Sequence, residues 1–166
     1  MLRQPAGAPV RQELMRDAAQ LQTTFFQSTQ DFRVTSTQPV FIGQFMEGQD
    51  NFGTNCAGGT ATDCGDPSMT VTLPTARFRT TYQFLAPGDY PENWVNVIAP
   101  IGTSVNIDGK SVTGFVAIGA SGYAVAHVSL CTGASCTGFH TANGTAPFGI
   151  QVYGYGTYTS YMYPGY

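Results

Sequence analysis

From Asp31 onward the chain is written in short runs rich in Val, Ile, Thr, Phe and Tyr, cut by clusters of Gly, Pro, Asn and Asp. Such runs predict strands, because β-branched and aromatic side chains suit a pleated surface and the intervening residues suit turns. They are DFRVTS, PVFIGQFM, SMTVTL, RFRTTYQFL, WVNVIA, SVNID, FVAIG, YAVAHVSL and PFGIQVYGYG. Short strands in close succession, never separated by a convincing helix, predict an all-β chain folded as an antiparallel sandwich or jelly roll. One turn is specified locally. Within TSVNIDGKSVTGF, Asp108 and Gly109 supply the positive-φ pair of a type I′ hairpin, with Val105 and Ile107 alternating ahead of it.

Residues 1–29 read differently. Leu14, Ala18, Leu21 and Phe25 lie three or four apart, which predicts a short helix over residues 10–22, while LQTTFF could extend a strand. The expected division is an N-terminal extension, or remnant of a preceding region, over 1–29 and a single β-sandwich domain over 30–166. A chain of 166 residues with 42% hydrophobic content encloses one sizeable core and hardly two. No apolar run approaches the roughly 20 residues that span a bilayer. The opening MLRQPAGAPVRQ lacks the apolar centre of a secretory signal, so a fragment of a longer exported protein is expected.

Charge removes one class of partner. Only 10% of residues are charged, the formal net charge is −3, and Lys110 is the one lysine. No cationic field exists to attract phosphate, so nucleic-acid binding is not expected.

The four cysteines fall into two pairs close in sequence, Cys56 with Cys64 and Cys131 with Cys136, each in a stretch of small residues that reads as loop. Two local disulfides would close rings of about nine and six residues, worth roughly 2–3 kcal/mol each on the chain-entropy model. Such bridges imply an oxidising compartment, outside the cell or at its surface. A four-cysteine zinc site is the rival, but the short ligand knuckles that make such a site persuasive are not present in both halves.

The chain ends in APFGIQVYGYGTYTSYMYPGY. Alternation in a strand puts Phe148, Ile150 and Val152 on one side and Gln151, Tyr153 and Tyr155 on the other, with Gly154 and Gly156 following on the apolar side. Glycine there invites a large ring or another backbone to approach. Tyr153, Tyr155, Tyr158, Tyr161 and Tyr163, with Trp94, are the candidate ligand-binding residues. Tyrosine rings also pack edge to face at a sandwich rim with their hydroxyls bonded to backbone, and this structural use is favoured over a ligand platform. Trp94 is weighed between core and sugar stacking, with core favoured.

No catalytic set is evident, and no enzyme is expected. The acids Glu47, Asp50, Asp63, Asp66, Asp89 and Glu92 fall mostly in turns, where Asp beside Pro or Gly is common. His127, inside YAVAHVSL, and His140 have no evident acid or nucleophile beside them in sequence. Oxygen-bearing residues from Asp50 to Asp66 lack the spacing of an EF-hand, so neither metal nor cofactor is expected. Asn143 heads an N-G-T sequon that reads equally as a tight turn.

Several segments, PVFIGQFMEGQ, GDPSMTVTLP, FRTTYQFLAPGDY, WVNVIAPIGTSVNIDG, GYAVAHVSL and APFGIQVYGYGTYTSYMYP, follow one another in an order and spacing that resembles the amino-terminal domain family of the IgG-Fc-binding protein of mucus. The resemblance covers about residues 31–165. It implies a module of large secreted or surface-anchored proteins, makes the tyrosine-rich ending part of the shared fold, and sets the cysteine pairs aside as local insertions. Two functions are expected of such a chain: a non-catalytic extracellular binding or adhesion module for a protein or glycan partner, or a structural subunit of a surface filament or layer. The second would self-associate through residues 1–29 or an exposed sheet edge.

Overall fold

A computed structural model of the chain describes residues 13–14, 23–25, 28, 30–46, 65–130, 138–156 and 158–166. The contacts divide it into two units, residues 1–31 and 32–166. In the first, β1 (Glu13–Leu14) pairs antiparallel with β2 (Thr24–Phe25). This corrects the helix expected over residues 10–22 at the two positions described there. A helix of that length is marginal in water unless its apolar stripe is covered, whereas Thr24 and Phe25 suit a strand.

Among its described residues the second unit pairs antiparallel, with one 3₁₀ turn at Thr75–Arg77. Its strands are β3 (Gly43–Phe45), β4 (Met69–Val71), β5 (Arg79–Ala86), β6 (Glu92–Pro100), β7 (Val105–Ile107), β8 (Lys110–Ser111), β9 (Val116–Ala117), β10 (Tyr123–Ser129), β11 (Gly138–Gly156) and β12 (Thr159–Pro164). The run DFRVTS forms no strand; Arg33 instead donates to the Ser121 carbonyl at 3.0 Å and lies 5.3 Å from the centre of the Tyr123 ring.

The organising element is β11. Its register shifts between Asn143 and Phe148. Before the shift it lies between β5 and β7, giving the order β5-β11-β7-β8; after it, β11 lies between β12 and β6, giving β12-β11-β6-β10-β9. A strand that changes sheets at an irregularity is how two β-layers turn a corner. Alternation then points one face of each layer inward, and Tyr82, Phe84, Val95, Val97, Val105, Ile107, Phe148, Ile150 and Val152 form one buried cluster drawn from both.

The hairpin at Asp108 and Gly109 forms as expected, with φ of 50° and 77° and Ile107 paired to Lys110. Asn143 and Gly144 form no turn: both lie within β11, paired to Asn106 and Val105. The four cysteines, and with them the expected bridges, lie outside the described residues.

Candidate functional site

The tyrosine-rich ending is built inward from its backbone. β12 pairs with Gln151–Gly156, setting Tyr161 opposite Gly154 and Tyr163 opposite Val152, on the core side. A Cβ at position 154 would stand 2.4 Å from Tyr161 Cε1 and 2.7 Å from the Glu92 carbonyl oxygen, so only glycine leaves room for that ring. The Tyr161 hydroxyl donates to Asn93 Oδ1 at 2.6 Å, and the Asn93 amide donates to the Tyr90 carbonyl at 2.9 Å. Asn93 is fully buried, and these bonds are what allow an amide to stay there. Tyr90 meets the Tyr161 ring edge-on at 4.6 Å, and Tyr163 stacks on Tyr161 at 6.0 Å. Tyr163 reaches across to β5, donating to the Leu85 carbonyl at 2.6 Å and accepting from its amide at 3.1 Å.

On the opposite face Tyr153 is buried and meets the partly covered Tyr155 edge-on at 5.8 Å. The segment at Gly65 lies over Tyr155: its amide donates to the Gly156 carbonyl at 3.1 Å, and the Ser160 hydroxyl donates to the Asp66 carbonyl. Trp94, paired to Tyr153, is partly buried on this outer face and belongs to no core cluster, because its neighbours Asn93 and Val95 take the inward positions. Beside it runs one polar rung. His127 Nδ1 lies 2.7 Å from Asn96 Oδ1, Asn96 donates to Gln151 at 3.1 Å, and Gln151 donates to Gln44 of β3 at 2.8 Å, tying the β3–β4 ribbon to the sheet. Of the candidate residues, Tyr158 is the exposed one, held at φ 54° in the turn before β12.

Burial pushes the Tyr155 hydroxyl well above the ordinary phenol value, helped by the charges of Tyr153 and Glu92. Burial, with Tyr163 and Tyr90, does the same to Tyr161. A folded-state value raised this way favours the native state below the ordinary phenol value of about 10, and that contribution is lost as pH rises past it. Melting temperature should therefore hold steady from neutral pH and fall above about pH 10. Thermal melts combined with phenolate absorbance check this, and full tyrosine ionisation without loss of structure would contradict it.

The groups left facing solvent lie elsewhere. On β5 and β11, Leu85 and Phe139 are cross-strand partners, 43% and 86% exposed. They border an open depression of about 820 Å³ lined also by Gln83, Pro87, His140, Thr141 and Tyr163. His140 lies flat against Phe84 at 5.3 Å, and its Nδ1 is 2.7 Å from Asp108 Oδ2. Asp108 also accepts the Thr141 amide at 2.9 Å. Partial burial pulls the Asp108 carboxyl upward, but the hydrogen bonds from His140 and Thr141 outweigh it and hold the group below its ordinary value. An Asp–His pair next to an apolar depression orients an imidazole and pins the β7–β8 turn to β11.

The sequence model of the family described as IgGFc binding protein matches residues 5–154. The chain belongs to the IgGFc binding protein family. The match begins well before Asp31, where the resemblance in the quoted segments starts, and ends at Gly154, inside β11. No curated protein and no solved structure matches the chain. No helix among the described residues is long and apolar enough to cross a membrane.

Leu85 and Phe139 were not singled out in the sequence. Phe139 stands in a Gly, Thr and Cys-rich stretch that reads as loop, and its one signal is a lone aromatic residue there.

Proposed function

We propose that this chain is a non-catalytic binding module, working outside the cell or at its surface, that holds a protein partner on the outer face of the β5–β11 ladder. Family membership supports the class, and the exposed Leu85–Phe139 pair is the observation that carries the site. A large ring standing 86% exposed on a rigid ladder, beside the neutral side chains of Gln83 and Thr141, offers a partner desolvation area at little entropic cost. A glycan is the other occupant such a face could stack and hydrogen-bond.

Purified chain should be tested against immobilised IgG Fc, a panel of serum proteins and a glycan array. Phe139→Ala should weaken whatever binding is found by about 30-fold, the effect of losing a hot-spot aromatic of about 2 kcal/mol. Its melting temperature should stay near that of the parent, since the ring supports no core. Binding unchanged in this variant would move the site away from this face.

The same reading keeps the Cys56–Cys64 and Cys131–Cys136 bridges, and non-reducing peptide mapping should recover both. A link between the two pairs, or four free thiols after oxidative purification, would remove the disulfide argument for an extracellular setting.

A further inference from the structure

We propose that the free edge of β5 pairs antiparallel with the same edge of a second copy of this chain, in the register that sets Thr81 opposite Gln83 of the second copy. This goes beyond the partner-binding reading and does not depend on it.

Backbone groups in an antiparallel ladder point alternately to one side and the other. Thr141 donates its amide to Asp108 Oδ1 and accepts the Asp108 amide, both at 2.9 Å, so its groups point toward β7. Its cross-strand partner Gln83 therefore turns its own amide and carbonyl away from β11, as do Thr81 and Leu85 in the same alternation. Leu85 is already satisfied on that side by the Tyr163 hydroxyl. Next to this tyrosine cap, Thr81 and Gln83 present their amides and carbonyls outward, and β11 is the one ladder partner of β5 among the described residues.

That window is self-complementary. A two-fold axis at Tyr82 sets Thr81 against Gln83 and Gln83 against Thr81, so each open amide meets an open carbonyl. The same axis sets Arg79 opposite Leu85, so arginine does not meet arginine. The strand carries no proline, lysine or acidic residue, the usual devices that keep an edge unpaired, and a net charge of −3 adds little repulsion. Thr81 and Gln83, both exposed on the outer face, would sit side by side as neutral hydrogen-bonding pairs.

Sedimentation velocity on the full chain across roughly 10 µM to 1 mM, a range suited to a small interface, tests the pairing. The unaltered chain should show a dimer fraction that rises with concentration. Gln83→Pro removes an amide that makes no bond to β11, so it should keep the melting transition while weakening the dimer at least tenfold. Gln83→Lys, which leaves the backbone intact, should weaken it likewise and decides the matter if the proline variant does not fold. Hydrogen exchange at the Thr81 and Gln83 amides should slow as concentration rises. A chain that stays monomeric throughout, or a dimer equally strong in both folded variants, overturns the proposal.

Discussion

Phe148→Ala should cost about 3–5 kcal/mol, the range for a buried aromatic truncated to a cavity. Phe148 is fully buried where β11 crosses from one layer to the other. Its ring meets Tyr82 edge-on at 5.1 Å, and the Tyr82 hydroxyl donates to the Phe148 carbonyl at 2.6 Å. Truncation therefore opens a void at the corner and loosens the β5 side chain that closes it. Against the 5–15 kcal/mol typical of a domain, the loss takes up much of the margin. Urea unfolding of the two chains measures it, and a change below about 1 kcal/mol would mean that the corner repacks freely.

Deleting residues 157–166 should do more, abolishing the cooperative transition. β12 is the outer neighbour of the second half of β11, and its loss strips the ladder from Gln151–Gly156. Tyr161 and Tyr163 leave the core margin, Asn93 Oδ1 loses the bond from Tyr161, and the Leu85 backbone loses both bonds to Tyr163. Losing one hydrogen bond to a buried amide costs about 1 kcal/mol before any apolar loss is added. Near-UV circular dichroism and a thermal melt decide the outcome. A sharp transition near the parent temperature would show that the tyrosine-rich ending is an appendage.

Much of the sandwich was legible because its cues are local. Asp108-Gly109 fixes a hairpin from two residues, and the apolar alternation of β5 and the β-branched and aromatic runs of β6 and β10 need no knowledge of a partner. The same alternation sorted Phe148, Ile150 and Val152 to the core, and Gly154 announced a ring's approach without saying whose. The first half of β11 was illegible for the converse reason. GFHTANGTAPF is rich in turn formers, Ala142 is its one buried residue before the register shift, and its strand character comes from β5 and β7, distant in sequence. His140 and Asp108, 32 residues apart, meet only once that pairing exists. Trp94, expected in the core, lies on the outer face because parity, set by buried Val95, puts it there. At the N-terminus a helical spacing over few residues competed with a strand-forming end, and Glu13 and Leu14 followed the strand.

The placement of β11 also sets an order of events during synthesis. β6 with β10, and β7 with β8, can pair as soon as they leave the ribosome, but β5 has its described ladder partner only in β11, after residue 137. Until then Tyr82, Phe84 and Val97 have no layer to close over them. Domains dominated by distant pairings fold slowly and expose unpaired strands while they wait. A nascent chain of this kind stays open to chaperones at least until β11 has been synthesised.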